Sequence, residues 1–199
     1  MRNKTYKMIL VSIFSALTAV GAFIKIPLPP VPFTLQVFFV ILSGLLLGSR
    51  MGFASQFVYI ALGLVGVPVF TKGGGLQYIF NPTFGYLIGF AIAAFVVGRM
   101  TENLERPSFG QYLKASIVGL AISYLFGVSH LYIILKYVNE VSTSLSKVLM
   151  SGCIVFLPWD IMKMIAASWI AKEVCSRVRI GGGQSADRKS TRLNSSHQI

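Results

Sequence analysis

Acidic residues are scarce in this chain: six Asp and Glu stand against 18 Lys and Arg in 199 residues, and charged residues of either sign make up only 12%. So little charge does not cover a soluble domain of this size. With 54% hydrophobic residues and a mean hydropathy of +0.70, the chain reads as an integral membrane protein. Cysteine is nearly missing as well. Cys153 and Cys175 are too far apart in helical rise to pair readily if one helix carries both, and they form no metal or redox motif. Histidine is limited to His130 and to His197 in a polar tail, which gives poor support to a hydrolase with a histidine base. No Gly-x-x-x-x-Gly-Lys-Ser/Thr loop occurs, so any ATP used with this protein is hydrolysed by another chain. No metal or cofactor is expected. The net charge of +12 raises the question of nucleic acid, but the basic residues flank apolar segments and do not cluster on an arm or an amphipathic helix. The expected partner is the lipid bilayer, with no nucleic acid.

What the chain has in quantity is apolar length. Runs fall at about Met8–Ile24, Leu35–Gly48, Met51–Val67, Tyr86–Val97, Tyr112–Leu135 and Val148–Ala171. They predict an all-α protein with six transmembrane helices in a compact bundle. The first run resembles a signal peptide, down to the small residues Val20-Gly21-Ala22, but the spans that follow favour an uncleaved first helix. The second and third runs are short and meet at Gly48-Ser49-Arg50, as a helical hairpin would. With the N-terminus inside, the cytoplasmic side collects Arg2, Lys4, Lys7, Arg50, Arg99, Arg106, Lys114, Lys172, Arg177 and Arg179, and the outer side keeps Lys25, Lys72, Lys136 and Lys147. That bias predicts a plasma-membrane protein with both termini cytoplasmic. Residues 1–180 are read as one membrane domain. Residues 181–199 turn polar, are expected to be disordered, and look like a translated cloning or adapter scar.

Two ionisable residues break the sixth run. Asp160 and Lys163 lie three residues apart, on one helix face, where a charge costs roughly 2.5–3.5 kcal/mol on insertion scales. They form either a mutual salt bridge turned into the bundle or a polar binding site. Pro158 can kink the helix close by. Two loops expected on the outer side are unusual. One carries Pro27, Pro29, Pro30 and Pro32 and should be stiff and extended. The other, Gly66 to Tyr86, contains Gly73-Gly74-Gly75, which permits positive φ and close backbone approach to a ligand, and offers Gln77, Asn81 and Tyr86 as polar groups. Such loops can meet Asp160 if they dip inward or if the last helix starts late. In the first helix, Ser12 with Ala16, Ser15 with Ala19 and Thr18 with Ala22 are small-xxx-small pairs, serving either packing within the chain or a partner membrane subunit.

These motifs occur in a telling order: Val31-Pro32-Phe33-Thr34-Leu35-Gln36, then Gly44 to Gly48, Gly66-Val67-Pro68-Val69-Phe70 with the glycine run, Asn81-Pro82-Thr83-Phe84-Gly85-Tyr86 onward to Phe90, and Leu157-Pro158-Trp159-Asp160 with Lys163. The set resembles the BioY proteins, biotin-binding S components of energy-coupling factor (ECF) transporters. The resemblance implies a membrane subunit that captures biotin at the outer face and delivers it inward when joined to a transmembrane coupling subunit and two ATPase subunits. It implies that Asp160, Lys163 and Asn81 contact biotin, with Tyr86 and Gln36 as further site residues. It places the coupling subunit's docking surface on the small-residue stripe, at Ser12, Ser15, Ala16 and Ala19.

The chemistry of biotin agrees with those residues. Its ureido ring has two N–H donors and a carbonyl, its valerate ends in a carboxylate, and its body is apolar. Asp160 can accept from the ureido N–H groups, while Lys163 can either neutralise the valerate or hold Asp160 ionised. Trp159, Phe33, Phe70 and Tyr86 are candidate apolar walls. A stand-alone facilitator working without ATPases is the alternative within transport. An intramembrane enzyme using Asp160 with His130 or Lys163 is the alternative outside it, and it lacks a nucleophile or a metal set.

Overall fold

The computed structural model describes residues 2–139 and 143–177; the tail from residue 181, expected to be disordered, and Arg179 lie outside the described residues. Helix α1 (Arg2–Phe23) leads into an antiparallel ribbon of β1 (Lys25–Ile26) and β2 (Phe33–Thr34). Helices α2 (Gln36–Leu47) and α3 (Ser49–Leu64) meet at Gly48, and a 3-10 turn, Leu76–Phe80, precedes α4 (Phe84–Thr101). Next come α5 (Phe109–Ile133), α6 (Leu145–Leu149) and α7 (Leu157–Arg177). A π-helical turn, Met150–Ile154, joins α6 to α7. The two therefore form one bent rod, and the described residues hold six helical units.

Four stretches, Lys4–Phe23, Phe84–Thr101, Phe109–Val138 and Leu145–Arg177, are long and apolar enough to cross a membrane. The chain is a multi-pass membrane protein. By contrast α2 and α3 have 12 and 16 residues, roughly 18 and 24 Å of rise, less than the hydrocarbon thickness of about 30 Å. The structure explains how so apolar a short helix as α2 is accommodated. It is buried along nearly its whole length and packs against α1, α3, α4 and α7, so protein surrounds it where lipid would surround a peripheral span. Helix ends reach past the apolar runs where polar residues cap them. Thus α5 starts at Phe109 because Ser108 and Gln111 form a reciprocal capping box, which satisfies two otherwise orphan backbone donors.

The first run is part of the bundle. Thr18 and Ala22 are fully buried, and Gln56 of α3 donates through Nε2 to Thr18 Oγ1 at 3.2 Å and to Ser43 Oγ of α2 at 3.3 Å. One buried amide thus ties three helices together, the kind of polar contact that holds helices in lipid. Backbones come close at Gly44 on α2, where a Cβ would lie 2.6 Å from the Ala94 carbonyl oxygen of α4.

At the α2–α3 joint, Glu102 accepts from the Ser49 N–H at 2.9 Å, the Ser49 hydroxyl at 2.7 Å and Arg99 Nη1 at 2.9 Å. It caps the first turn of α3 from the end of α4, where a negative charge also suits the helix dipole. Partial burial works against its charged form, but the Ser49 and Arg99 donors outweigh this and hold the carboxyl below its ordinary value of 4.5. Its contribution to stability is therefore complete above that ordinary value and is lost as pH falls through the depressed one. Glu102→Gln is expected to lower the unfolding temperature in detergent at neutral pH, with the gap from wild type closing as pH falls below the ordinary carboxyl value.

Both unusual loops are structured and lie at one end of the bundle. The proline loop forms the β ribbon, paired Lys25 to Thr34 and Ile26 to Phe33. Lys25 Nζ donates to the Thr71 carbonyl oxygen of the other loop. Gly73 and Gly75 take φ values of +112° and +104°, as the glycine run predicts. Their close approach, however, is to the chain itself. Gly75 N–H donates to the Gly63 carbonyl oxygen at 2.7 Å, and a side chain at Gly74 would meet the carbonyls of Gly63 and Val67.

Candidate functional site

The site is made by a helix that breaks and restarts. Val155 and Phe156 form a turn after the π-helical segment, and Pro158, which has no N–H to give the Ile154 carbonyl, sits in the first turn of α7. The late start brings Asp160 into the first turn of α7, where the N-terminal dipole favours a carboxylate. It also brings Asp160 and Lys163 level with the ribbon. Freed backbone must be satisfied within the protein at such depth, and the Tyr86 hydroxyl does this by donating to the Gly152 carbonyl oxygen at 2.6 Å.

Asp160 is only 6% exposed. Its Oδ1 accepts from Lys163 Nζ at 2.6 Å and its Oδ2 from the Tyr124 hydroxyl at 2.5 Å. Lys163 also donates to the Thr34 carbonyl oxygen at 2.7 Å and lies over the Phe33 ring, 3.8 Å from its centroid. Two of the three ammonium N–H groups are thus engaged by protein, one of them by the ribbon. The mutual ion pair, one of the two alternatives the sequence left open, is formed.

These groups face a cavity bounded by the ribbon, the loop before α4, and helices α4, α5 and α7. Its open mouth included, it encloses about 610 Å³ of empty space. Phe33, Tyr86, Leu87, Phe90 and Phe156 give it apolar walls. Gln36 lines it too, and its Nε2 donates to the Tyr59 hydroxyl at 2.8 Å.

The other candidate residues are placed differently. Asn81 does not line the cavity; its Oδ1 accepts from the Thr83 N–H at 3.1 Å and the Thr83 hydroxyl at 2.9 Å, just before α4. Gln77 is exposed and donates to Gly74. Trp159 points outward at 60% exposure. Phe70 is buried behind the cavity against Tyr59 and Tyr78. His130 packs edge-on to Phe84 and does not line the cavity. On α1, Ser12 and Ala16 are exposed, Ala19 is half-buried, and Ser15 is buried against the chain's own helices.

Sequence reasoning missed Tyr124, together with Thr71, Tyr78, Thr83 and Ser123, all of which line the cavity. Nothing in the spacing ties residue 124 to residue 160, and a lone tyrosine in an apolar helix reads as an interfacial aromatic. Tyr124→Phe removes one of the two donors to Asp160 while keeping the ring. It is expected to weaken ligand binding about fivefold to tenfold, with little change in unfolding temperature, as measured by titration of the purified protein.

A family model described as the BioY family matches residues 1–180. The chain belongs to the BioY family. Among its relatives, the probable biotin transporter BioY of Lysinibacillus sphaericus is 49% identical over 173 residues, covering 87% of this chain and 88% of that protein. The biotin transporter BioY of Thermotoga maritima is 43% identical over 166 residues, covering 83% and 93%. A crystal structure of the S component for biotin from an ECF-type ABC transporter superposes with a TM-score of 0.77 at 26% identity, covering 89% of this chain and 94% of that one. BioY is a family of transporters, not of enzymes, and its helical architecture is the one described above.

Proposed function

We propose that this BioY chain is the substrate-binding S component of an ECF transporter, capturing biotin at the outer face of the membrane for ATP-driven import. The observation that carries the reading is the buried Asp160–Lys163–Tyr124 cluster facing an aromatic-walled cavity, in a fold shared with an S component for biotin. Asp160 is the acceptor for the ureido N–H groups. Lys163 anchors Asp160 by donating to its Oδ1 and keeps one N–H to face the ligand. Tyr86 and Gln36 shape the walls. Residues 1–180 act as the membrane unit, and residues 181–199 are not needed.

In this reading all six helical units span or line the bilayer core, with both termini cytoplasmic, which the excess of Lys and Arg on that side supports. Ser12 and Ala16, on the exposed face of α1, belong to the surface that meets the transmembrane coupling subunit, and two ATPase subunits complete the complex. Small residues there allow close helix approach. Purified protein is expected to bind labelled biotin at or below about micromolar concentration; no binding in that range would sink the proposal. Cells expressing the chain with a coupling module should accumulate biotin, and cells lacking the module should not. Equal uptake in both would make it a stand-alone facilitator.

A further inference from the structure

The hydroxyl groups around the cavity have their protons assigned by geometry. Asn81 Oδ1 is oriented by the Thr83 backbone N–H, which donates to it at 3.1 Å; an amide nitrogen in that place would meet a donor with a donor. Thr83 Oγ1 therefore gives its single proton to Asn81 Oδ1, at 2.9 Å. Since a hydroxyl has one proton and two lone pairs, the 3.0 Å contact between Tyr78 and Thr83 must have Tyr78 as donor. The 2.8 Å contact between Thr71 and Tyr78 then has Thr71 as donor. Thr71, Tyr78 and Thr83 are all buried and all line the cavity. Each faces it with lone pairs only.

The remaining hydroxyls of the lining follow the same rule. Ser123 donates to Gly119, Tyr86 to Gly152 and Tyr124 to Asp160, and Thr34 donates to Gln36 Oε1. Apart from Lys163 and one amide hydrogen of Gln36, the polar side chains of the wall offer acceptors. We propose that Asn81 sets the direction of the Thr71–Tyr78–Thr83 relay and thereby makes the cavity an acceptor surface that selects ligands by their N–H groups. The inference rests on the biotin reading above and deepens it. Asn81 is a positioning residue here, acting on specificity through three hydroxyls without touching the ligand. A ring with N–H donors is held by such a wall. A ring with oxygen in place of N–H meets lone pairs with lone pairs.

The test compares biotin with its cyclic carbamate analogues, in which one or the other ureido N–H is replaced by a ring oxygen, by calorimetric titration of the purified full chain. Wild type is expected to prefer biotin by about 30-fold to 100-fold over at least one analogue, the range of an unmatched buried polar group. Asn81→Ala frees the Thr83 proton, lets the relay reverse, and should reduce that ratio to about fivefold or less. Asn81→Asp keeps an acceptor in the same place and should keep the wild-type ratio. Tyr78→Phe cuts the relay while leaving the Asn81–Thr83 turn intact, and it should also lower the ratio, which covers the case of an Asn81→Ala protein that does not fold. Equal ratios in wild type, Asn81→Ala and Tyr78→Phe, with biotin still bound, would overturn the relay alone. A wild type that does not bind biotin would overturn the functional reading and the relay together.

Discussion

Asp160→Asn is expected to lower biotin affinity by on the order of a hundredfold or more and to lower the unfolding temperature in the absence of ligand. The substitution keeps the shape of the side chain, so sterics do not drive the loss. It leaves the Lys163 ammonium, whose side chain is only 10% exposed, without its counter-charge in a site walled by aromatic rings. Removing one partner of a buried pair costs about 3–5 kcal/mol, whereas replacing both by apolar groups is often nearly neutral. Asp160→Asn combined with Lys163→Met should therefore recover much of the lost thermal stability and none of the lost affinity. That split separates the two roles of the pair. Unchanged biotin affinity in the Asp160→Asn protein would return Asp160 and Lys163 to a purely structural ion pair.

Gly44→Leu is expected to produce the largest loss of stability. The α2–α4 contact leaves no room for even one carbon: a Cβ at Gly44 would lie 2.6 Å from the Ala94 carbonyl oxygen and 3.1 Å from Val97 Cβ. The first obstacle is backbone inside a helix, which cannot rotate aside as a side-chain end can. Overpacking of this kind costs about 1–3 kcal/mol and often more. Here it also pushes out the helix that α1, α3 and α7 pack upon. A much lower apparent melting temperature in detergent is expected for Gly44→Leu, with Gly44→Ala in between. Gly44 is two turns from Gln36, roughly 12 Å along α2. The fraction that still folds should bind biotin within a few-fold of wild type. A melting temperature equal to wild type would show that the two helices can part at little cost.

Much of the fold is legible in the residues because lipid imposes a simple rule: apolar runs become helices, and charges mark their ends. The runs therefore anticipated all six helical units and the Gly48 joint. Asp160 and Lys163 were legible for the same reason, since two charges three residues apart in an apolar run need a partner or a ligand. The proline and glycine loops announced themselves by composition. Asn81 was legible only as a polar residue near the site. Its side chain turns to Thr83, a local Asx-type bond that no long-range pattern reveals.

Sequence by itself determined the membrane class, the family, the helix order and the placing of Asp160 and Lys163 on one helix face, because each depends on local composition or on spacing within one element. Tertiary structure alone decided that α2 is sheathed by protein, that Ser15 turns inward while Ser12 and Ala16 stay exposed, and that Tyr124 meets Asp160 across 36 residues of chain. It also decided which protein acceptor takes the proton of each cavity hydroxyl. Those outcomes depend on how helices rotate and approach one another in space, and on which atoms then compete for a single hydrogen.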